Sequence, residues 1–174
     1  MPDQHEILNN KKILIVDDEP DILETLEEIL DMCLIDSAPN YETAKKFLEK
    51  NHYDVAVLDI MGVRGYDLLE LATSKGIPSL MLTAHALSPD NLIKSIKKGA
   101  RSYIPKDKIA DIATYLADIL QEAEKETRES KWFQRLKPVF DKKFGADWRE
   151  KDREFWDEFD KGFQVSKDEL GQIM

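Results

Sequence analysis

The sequence predicts an α/β fold, a doubly wound parallel sheet of the (βα)₅ type, followed by an α-helical C-terminal extension. Short apolar runs alternate with helix-like stretches over roughly the first two-thirds of the 174 residues. The apolar runs are continuous instead of alternating with polar residues, which is typical of strands that are buried on both faces of a parallel sheet. The helix-like stretches carry apolar residues three or four positions apart, as helices covering such a sheet must.

The five predicted strands are short and end in polar or turn-forming residues. They comprise residues 13–16, 33–35, 55–58, 79–82 and 102–104. The helices between them are predicted from Pro20 onward and over residues 41–50, 66–74 and 90–98, with a last helix opening near Asp107. Pro20 suits the first turn of a helix, where its missing N–H group leaves no hydrogen bond unmade.

The carboxyl ends of all five strands are expected along one edge of the sheet, because crossover connections are right-handed. In open α/β sheets this edge holds the functional site. Five chemically active side chains arrive there: Asp17 and Asp18 after the first strand, Asp59 after the third, Thr83 after the fourth and Lys106 just past the fifth.

This set of side chains predicts phosphoryl chemistry. Three neighbouring carboxylates raise one another's pKa unless a cation lies among them. Mg²⁺ suits such a place, since it takes oxygen ligands and needs only one or two carboxylates besides waters and a phosphate. A hydroxyl and an ammonium can hold the oxygens of a tetrahedral anion while one carboxylate acts as the nucleophile. Each residue alone could be a helix cap, a strand end or a solvated lysine, but their joint occurrence favours a site.

The composition argues against several other classes of protein. The net charge of −10 argues against a nucleic-acid-binding surface, which needs clustered Lys and Arg. Cys33 is the single cysteine, so no internal disulfide can form and a reducing compartment is expected. No apolar run approaches the ~20 residues of a membrane span, and the polar start lacks the features of a signal peptide. We therefore expect a cytoplasmic protein that binds neither nucleic acid nor membrane.

Four motifs resemble the receiver domain of two-component response regulators. They are ILIVDDEPD at 13–21, VAVLDIM at 55–61, LMLTA at 80–84 and SYIPK at 102–106. The resemblance covers residues 11–122 and leaves an N-terminal tail, 1–10, and a helical C-terminal extension, 123–174. It implies a flavodoxin-like fold that accepts a phosphoryl group on an aspartate from a histidine kinase or phosphotransfer protein. The protein would then switch protein–protein contacts, without a separate catalytic output domain.

The resemblance also implies a role for each site residue. Asp59 would be the phosphoacceptor, and Asp17 and Asp18 would form the acidic pocket. Mg²⁺ would be held by Asp18, Asp59 and the main-chain carbonyl of Met61. Lys106 would pair with the phosphoryl oxygens.

A conformational switch is implied in addition. Thr83 would move to hydrogen-bond the phosphoryl group, and Tyr103 would swing inward into the space that Thr83 leaves. The change would reach the face made by the fourth predicted helix, the fifth strand and the fifth helix. His85, two residues after Thr83, is expected either to modulate the lifetime of the phosphoryl group or to be an exposed loop residue.

The chain departs from the family pattern directly after Asp59. The usual Met-Pro pair is missing, and Gly65 follows Asp59 after six residues where the family has a glycine after eight. The loop beside the metal site is therefore predicted to be two residues short. Gly62 is expected to supply the backbone freedom that the shorter path needs.

The C-terminal extension is rich in aromatic residues at helical spacing. Pro138 predicts the start of a new helix after a solvated connector, and Gly145 predicts its end. The aromatic residues belong either to a small helical subdomain or to a surface that binds a partner protein or a second copy of the chain. The face made by the fourth predicted helix, the fifth strand and the fifth helix is a second candidate for such binding. They are Trp132, Phe133, Phe140, Phe144, Trp148, Phe155, Trp156, Phe159 and Phe163.

Two other functions remain as alternatives. A Mg²⁺-dependent phosphohydrolase of the haloacid-dehalogenase type also uses an aspartate nucleophile, but it places a second Asp two residues later. Here Asp17 is followed at that spacing by Glu19, so the pattern fails. A transcriptional regulator acting through the extension would need DNA binding, yet the extension is not basic and shows no recognition helix.

Overall fold

The computed structural model describes residues 3–84, 87–125 and 131–159, and a five-stranded parallel sheet forms the centre of its first compact unit, residues 1–121. The strands are β1 (Lys12–Val16), β2 (Leu34–Ala38), β3 (Val55–Asp59), β4 (Ser79–Thr83) and β5 (Ser102–Pro105). Their spatial order is β2-β1-β3-β4-β5, with every neighbouring pair parallel. The predicted doubly wound (βα)₅ fold is confirmed, and its strand order reverses between β1 and β3.

The second strand extends beyond its prediction, to Ala38 instead of residue 35. Its polar residues Asp36 and Ser37 still pair with Leu14 and Ile15 of β1. They tolerate this position because β2 lies at the edge of the sheet and is only partly buried. Apolar content alone therefore ended the predicted strand too early.

Among the residues that the structure describes, six helices accompany the sheet. They are α1 (Gln4–Leu8), α2 (Pro20–Ile29), α3 (Tyr41–Lys50), α4 (Gly65–Ser74), α5 (Pro89–Lys97) and α6 (Ile112–Lys125). A 3₁₀ segment, Lys106–Asp111, precedes α6, so the helix predicted near Asp107 begins with a tighter turn. Because α1 comes before β1, the fourth and fifth predicted helices are α5 and α6.

Helix α1 has no counterpart in the sequence-based prediction. Its five residues are too few for an apolar period to appear, and isolated helices of this length are unstable. The fold stabilises it through Leu8, which is fully buried, and through Gln4, whose Nε2 donates a hydrogen bond to Thr114 Oγ1 at 2.7 Å. Tertiary contacts, and not local propensity, thus form this helix.

Strands β3 and β4 are buried at every residue, which makes them the rigid centre of the sheet. They run in register, with Asp59 opposite Leu82, so the ends of the two strands lie side by side. On the far side of β4, Thr83 pairs with Pro105 of β5. This register brings the polar ends of three consecutive strands to one edge.

A second compact unit begins after Gln121. Its described part contains α7 (Lys131–Phe144), a 3₁₀ turn (Glu150–Asp152) and helical residues 153–159.

The prediction that Pro138 starts a helix is wrong, because Pro138 lies inside α7. The cost of an interior proline is about 3 kcal/mol. Burial of Phe133, Leu136 and Phe140 on both sides of it offsets that cost. Gly145, with φ 95, ends α7 as predicted.

The aromatic residues of the second unit pack on one another. Trp156 lies 5.2 Å from both Phe133 and Trp148, measured between ring centroids, and all three side chains are buried. Arg149 places its guanidinium 4.6 Å from the centre of the Trp156 ring. The choice between a helical subdomain and a partner-binding surface stays a prediction, and Phe163 lies outside the described residues. Within the described residues, no helix is both long and apolar enough to span a membrane.

Candidate functional site

Asp59 lies at the tip of the central strand β3, and its side chain is only 5% exposed. Asp17 follows β1 directly and is fully buried. Val16 pairs with Leu58 across the two strands, so the residues after them, Asp17 and Asp59, are also neighbours. A strand buried on all sides thus presents an acid at its end, next to a second acid.

Lys106 connects these two acids. It follows β5 directly, and its Nζ lies 3.0 Å from Asp17 Oδ2 and 3.4 Å from Asp59 Oδ1. A third carboxylate, that of Glu19, has its Oε1 3.4 Å from the same ammonium. The side chains of Lys106 and Asp17 are 9% and 0% exposed, so their attraction is stronger than it would be at the surface, whereas the Glu19 side chain is 48% exposed.

The electrostatics of the site favour an additional cation. Burial, with the neighbouring charge of Asp17, raises the pKa of Asp59 to about 7 even though Lys106 opposes the shift. Burial also raises the pKa of Asp17, against the hydrogen bond that the Glu19 N–H donates to its Oδ1 at 2.9 Å. Burial alone would lower the pKa of Lys106, but the three carboxylates raise it. The single positive charge of Lys106 therefore cannot neutralise the three carboxylates around it.

Asp17, Asp18 and Glu19 each offer an oxygen within 4.8 Å of the others. This set contains only carboxylate oxygens, the donors that a hard divalent cation such as Mg²⁺ takes. Asp18 and Glu19 are exposed, so a cation can reach them from solvent. These oxygens fit a divalent cation such as Mg²⁺, whereas the ligand set of Asp18, Asp59 and the Met61 carbonyl stays a prediction.

Glu19 was not among the predicted site residues. In the sequence it attracts notice only as an acidic residue before Pro20, at the start of α2. Its extended backbone, φ −93 and ψ 111, is that of an N-cap residue, and it directs the side chain toward Lys106. Its place directly after the two aspartates was the available signal.

Five residues, 60–64, join β3 to α4, and the backbone of this loop shows why glycines are needed. Gly62 has φ +86, which side chains other than glycine rarely adopt. A Cβ there would lie 2.3 Å from Asp18 Oδ2. At Gly65 a Cβ would lie 2.0 Å from the main-chain oxygen of Asp59. The loop backbone thus lies directly against both acids.

Met61 lies in the same loop and is 56% exposed. The side chain therefore plays no part in the core. Its main-chain carbonyl as a metal ligand stays a prediction.

Thr83 and Tyr103 lie on the neighbouring strands β4 and β5, and both are buried. The main-chain N–H of Ser88 donates a hydrogen bond to the Tyr103 hydroxyl at 3.2 Å. The Tyr103 hydroxyl therefore lies beside the N-cap residue of α5. The movements of Thr83 and Tyr103 stay predictions, and His85 lies outside the described residues.

The chain is similar to known proteins. The family model described as the response regulator receiver domain matches residues 13–117. The response regulator protein PilR of Pseudomonas aeruginosa is 34% identical over 105 residues, which are 57% of this chain and 23% of PilR. The heme response regulator HssR of Staphylococcus aureus is 38% identical over 98 residues, 53% of this chain and 43% of HssR. The chain spans less than half the length of these curated relatives.

Solved structures show the same fold. A CheY-like response regulator receiver domain protein from Methanospirillum hungatei has a TM-score of 0.62 at 30% identity, covering 68% of this chain and 99% of that one. A response regulator structure from Chloroflexus aurantiacus has a TM-score of 0.58 at 28% identity, covering 65% of this chain and 99% of that one. The family model covers more than half of the chain, so the chain belongs to the response regulator receiver domain family of two-component signal transduction.

Proposed function

We propose that Asp59 accepts a phosphoryl group from a histidine kinase or a phosphotransfer protein in a Mg²⁺-dependent reaction. The observation that carries this proposal is the position of Asp59. Its buried carboxylate lies at the end of β3, with Asp17 beside it and the Lys106 ammonium 3.4 Å from its Oδ1. A nucleophilic carboxylate with a cationic partner is what transfer to an aspartate requires.

In the transfer step, a carboxylate oxygen of Asp59 forms a bond to phosphorus, and the P–N bond to the donor histidine breaks. The product is an acyl phosphate, and the bonding electrons leave with the imidazole. Asp59 must be ionised to attack, yet burial raises its pKa to about 7. Lys106 opposes that shift and keeps a larger fraction of Asp59 in the reactive carboxylate form.

A bound Mg²⁺ would neutralise the charge that the incoming phosphoryl group adds. Asp18, Asp59 and the main-chain carbonyl of Met61 are the residues proposed to hold it, with Asp17 completing the acidic pocket. Lys106 is already within reach of Asp59 and can pass to a phosphoryl oxygen through a small movement. The residues themselves thus orient the reacting groups and compensate their charge.

Phosphorylation is proposed to act on other proteins through Thr83 and Tyr103. A phosphoryl group adds roughly −1.5 to −2 charge and strong acceptor oxygens beside Thr83. Movement of Thr83 would change the packing around Tyr103, whose hydroxyl already binds the Ser88 N–H that opens α5. The face formed by α5, β5 and α6 would then bind a partner protein or a second copy differently. The chain is proposed to act as a switch in this way, without catalysing a separate reaction.

The experiment is phosphorylation by acetyl phosphate with and without Mg²⁺, followed by intact-mass spectrometry. We expect one phosphoryl group per chain, only with Mg²⁺, and none in Asp59→Asn. Asp21→Asn is the matched control, because Asp21 is an exposed acid on α2. A labelled Asp59→Asn protein would contradict the proposal. Repeated turnover of acetyl phosphate would instead support the phosphohydrolase alternative.

A further inference from the structure

The side chain of Arg64 holds the shortened loop between β3 and α4, and we propose that Arg64 is a positioning residue for the metal site. The inference rests on the proposed function, because it concerns the backbone that would face the Mg²⁺ ion. It goes beyond that function because it assigns the fixed conformation of this loop to one surface side chain.

Arg64 has a left-handed backbone, with φ 54 and ψ 52, immediately before α4. Among the described residues only one other non-glycine residue, Asn10, has a positive φ. A residue with a Cβ is disfavoured in this conformation by about tenfold relative to the right-handed one. The conformation is needed, because the Arg64 carbonyl accepts hydrogen bonds from the N–H groups of Asp67 and Leu68 and so begins the helix.

Two contacts of the side chain compensate for this backbone. The guanidinium carbon lies 4.0 Å from the centre of the Tyr41 ring, at the start of α3. Arg64 Nε lies 2.9 Å from Asp67 Oδ2, in the first turn of α4. Each contact is modest because the Arg64 side chain is 61% exposed. Together they connect the loop to two helices.

Because the loop is short, the Arg64 contacts also restrain the backbone beside the acidic pocket. Only five residues, 60–64, join the end of β3 to the start of α4. Val63 is fully buried and fixes the middle, while Gly62 packs its backbone against the Asp18 carboxylate. A long loop could absorb a rotation at one residue, but this path is too short to do so. A change at Arg64 is therefore expected to displace the Met61–Gly62 backbone from Asp18.

The test is a double-mutant cycle on Mg²⁺ affinity, measured by isothermal titration calorimetry. We expect Arg64→Ala and Tyr41→Leu each to weaken Mg²⁺ binding about three- to tenfold. The double variant should be no weaker than the worse single one, because both remove the same contact. Arg64→Gly should lose less than Arg64→Ala, since glycine adopts the left-handed backbone freely. Arg101→Ala, which removes an exposed arginine elsewhere, should bind as the wild type does.

Two further measurements separate positioning from simple stability. Hydrogen exchange should be faster in Arg64→Ala at the Gly65 amide, which donates to the Ile60 carbonyl at 3.2 Å. Urea unfolding of the metal-free variants shows any loss of overall stability. A lower unfolding midpoint with an unchanged Mg²⁺ affinity would overturn the inference, as would unchanged exchange at Gly65.

The outcome also distinguishes this inference from the proposed function. Wild-type protein that binds no Mg²⁺, or Asp18→Asn that binds it as well as wild type, would overturn the proposed function and the inference together. Wild-type protein that binds Mg²⁺ no more tightly than Arg64→Ala would overturn the role of Arg64 alone.

Discussion

Gly62→Ala should show separately how backbone strain lowers the stability of the fold and how a displaced ligand lowers the affinity for Mg²⁺. Gly62 and Gly76 both have a positive φ, +86 and +74. A Cβ on Gly76 meets nothing within 4 Å, whereas a Cβ on Gly62 would lie 2.3 Å from Asp18 Oδ2. Gly76→Ala is therefore a matched control that introduces a similar backbone strain without a steric clash.

The expected magnitudes follow from this difference. Each substitution should destabilise the fold by about 1–2 kcal/mol, the cost of a left-handed backbone for a residue with a Cβ. The clash at Gly62 adds little to that cost, because the Asp18 carboxylate is exposed and can rotate away. The rotation removes a proposed ligand, however, so Mg²⁺ affinity should fall at least about tenfold, or about 1.4 kcal/mol. Gly76→Ala should bind Mg²⁺ as the wild type does.

Isothermal titration calorimetry with Mg²⁺ measures the affinities, and urea unfolding of the metal-free proteins measures the stabilities. Equal Mg²⁺ affinities in the two alanine variants would refute the conclusion that Gly62 is a glycine to make room for Asp18. A Gly62→Ala protein much less stable than Gly76→Ala would show instead that Asp18 cannot move away.

Three further predictions concern other parts of the molecule. Tyr66→Phe should lower the free energy of unfolding by about 1 kcal/mol, measured by urea unfolding followed by circular dichroism. The lost hydroxyl is within hydrogen-bond distance of Asn91 Oδ1, at 2.8 Å. Asp141→Ala should destabilise the second unit by about 1–3 kcal/mol, because it leaves the Trp148 indole N–H, 2.8 Å from Asp141 Oδ1, without its acceptor. Cys33 should alkylate slowly at pH 8, with a rate that rises until about pH 11, since burial raises its thiol pKa to about 11.

Each of these predictions has its own control. Tyr41→Phe keeps the ring that contacts Arg64 and should leave stability nearly unchanged, so an equal loss in both tyrosine variants would contradict the role of the Tyr66 hydroxyl. All three tryptophans follow residue 130, so tryptophan fluorescence reports the second unit selectively. An unchanged unfolding midpoint by this signal would contradict the role of Asp141. Alkylation of Cys33 at pH 8 as fast as a small thiol would show that burial does not protect it.

The stability that Asp141 contributes should also depend on pH. Its hydrogen bond from Trp148 and its ion pair with Lys137 lower its pKa in the folded protein. A lowered folded pKa means that the contribution is complete above the ordinary aspartate pKa and disappears as the pH falls through the folded value. The difference in stability between wild type and Asp141→Ala should therefore shrink in acid.

The proposed phosphoacceptor could be predicted from the sequence because its position depends on topology alone. Continuous apolar runs indicate parallel strands, and parallel strands with right-handed crossovers must end at one edge. Asp17, Asp59 and Lys106 each follow such a run directly, so their meeting needs no knowledge of side-chain packing. In the structure, carboxylate oxygens of Asp17 and Asp59 lie 3.0 and 3.4 Å from the Lys106 Nζ atom, in agreement with that expectation.

Other features could not be predicted because they depend on contacts between residues distant in the chain. Glu19 joins the cluster only because β5 delivers Lys106 beside the start of α2. Pro138 lies within a helix because the aromatic packing around α7 outweighs the missing hydrogen bond. Local sequence preferences therefore predict a residue's position reliably where the backbone topology determines it. They fail where tertiary packing opposes the local preference.

The fold class, the sheet edge that carries the proposed site and the number of residues in the loop after Asp59 follow from the amino-acid order alone, because apolar patterns and residue counts need no tertiary contacts. The contacts of this short loop, by contrast, become visible only in the folded chain. The fold places the Gly62 backbone against Asp18 and the Arg64 side chain against Tyr41, contacts that join three separate segments. Such contacts arise from the packing of helices on the sheet, which spacing along one segment does not encode.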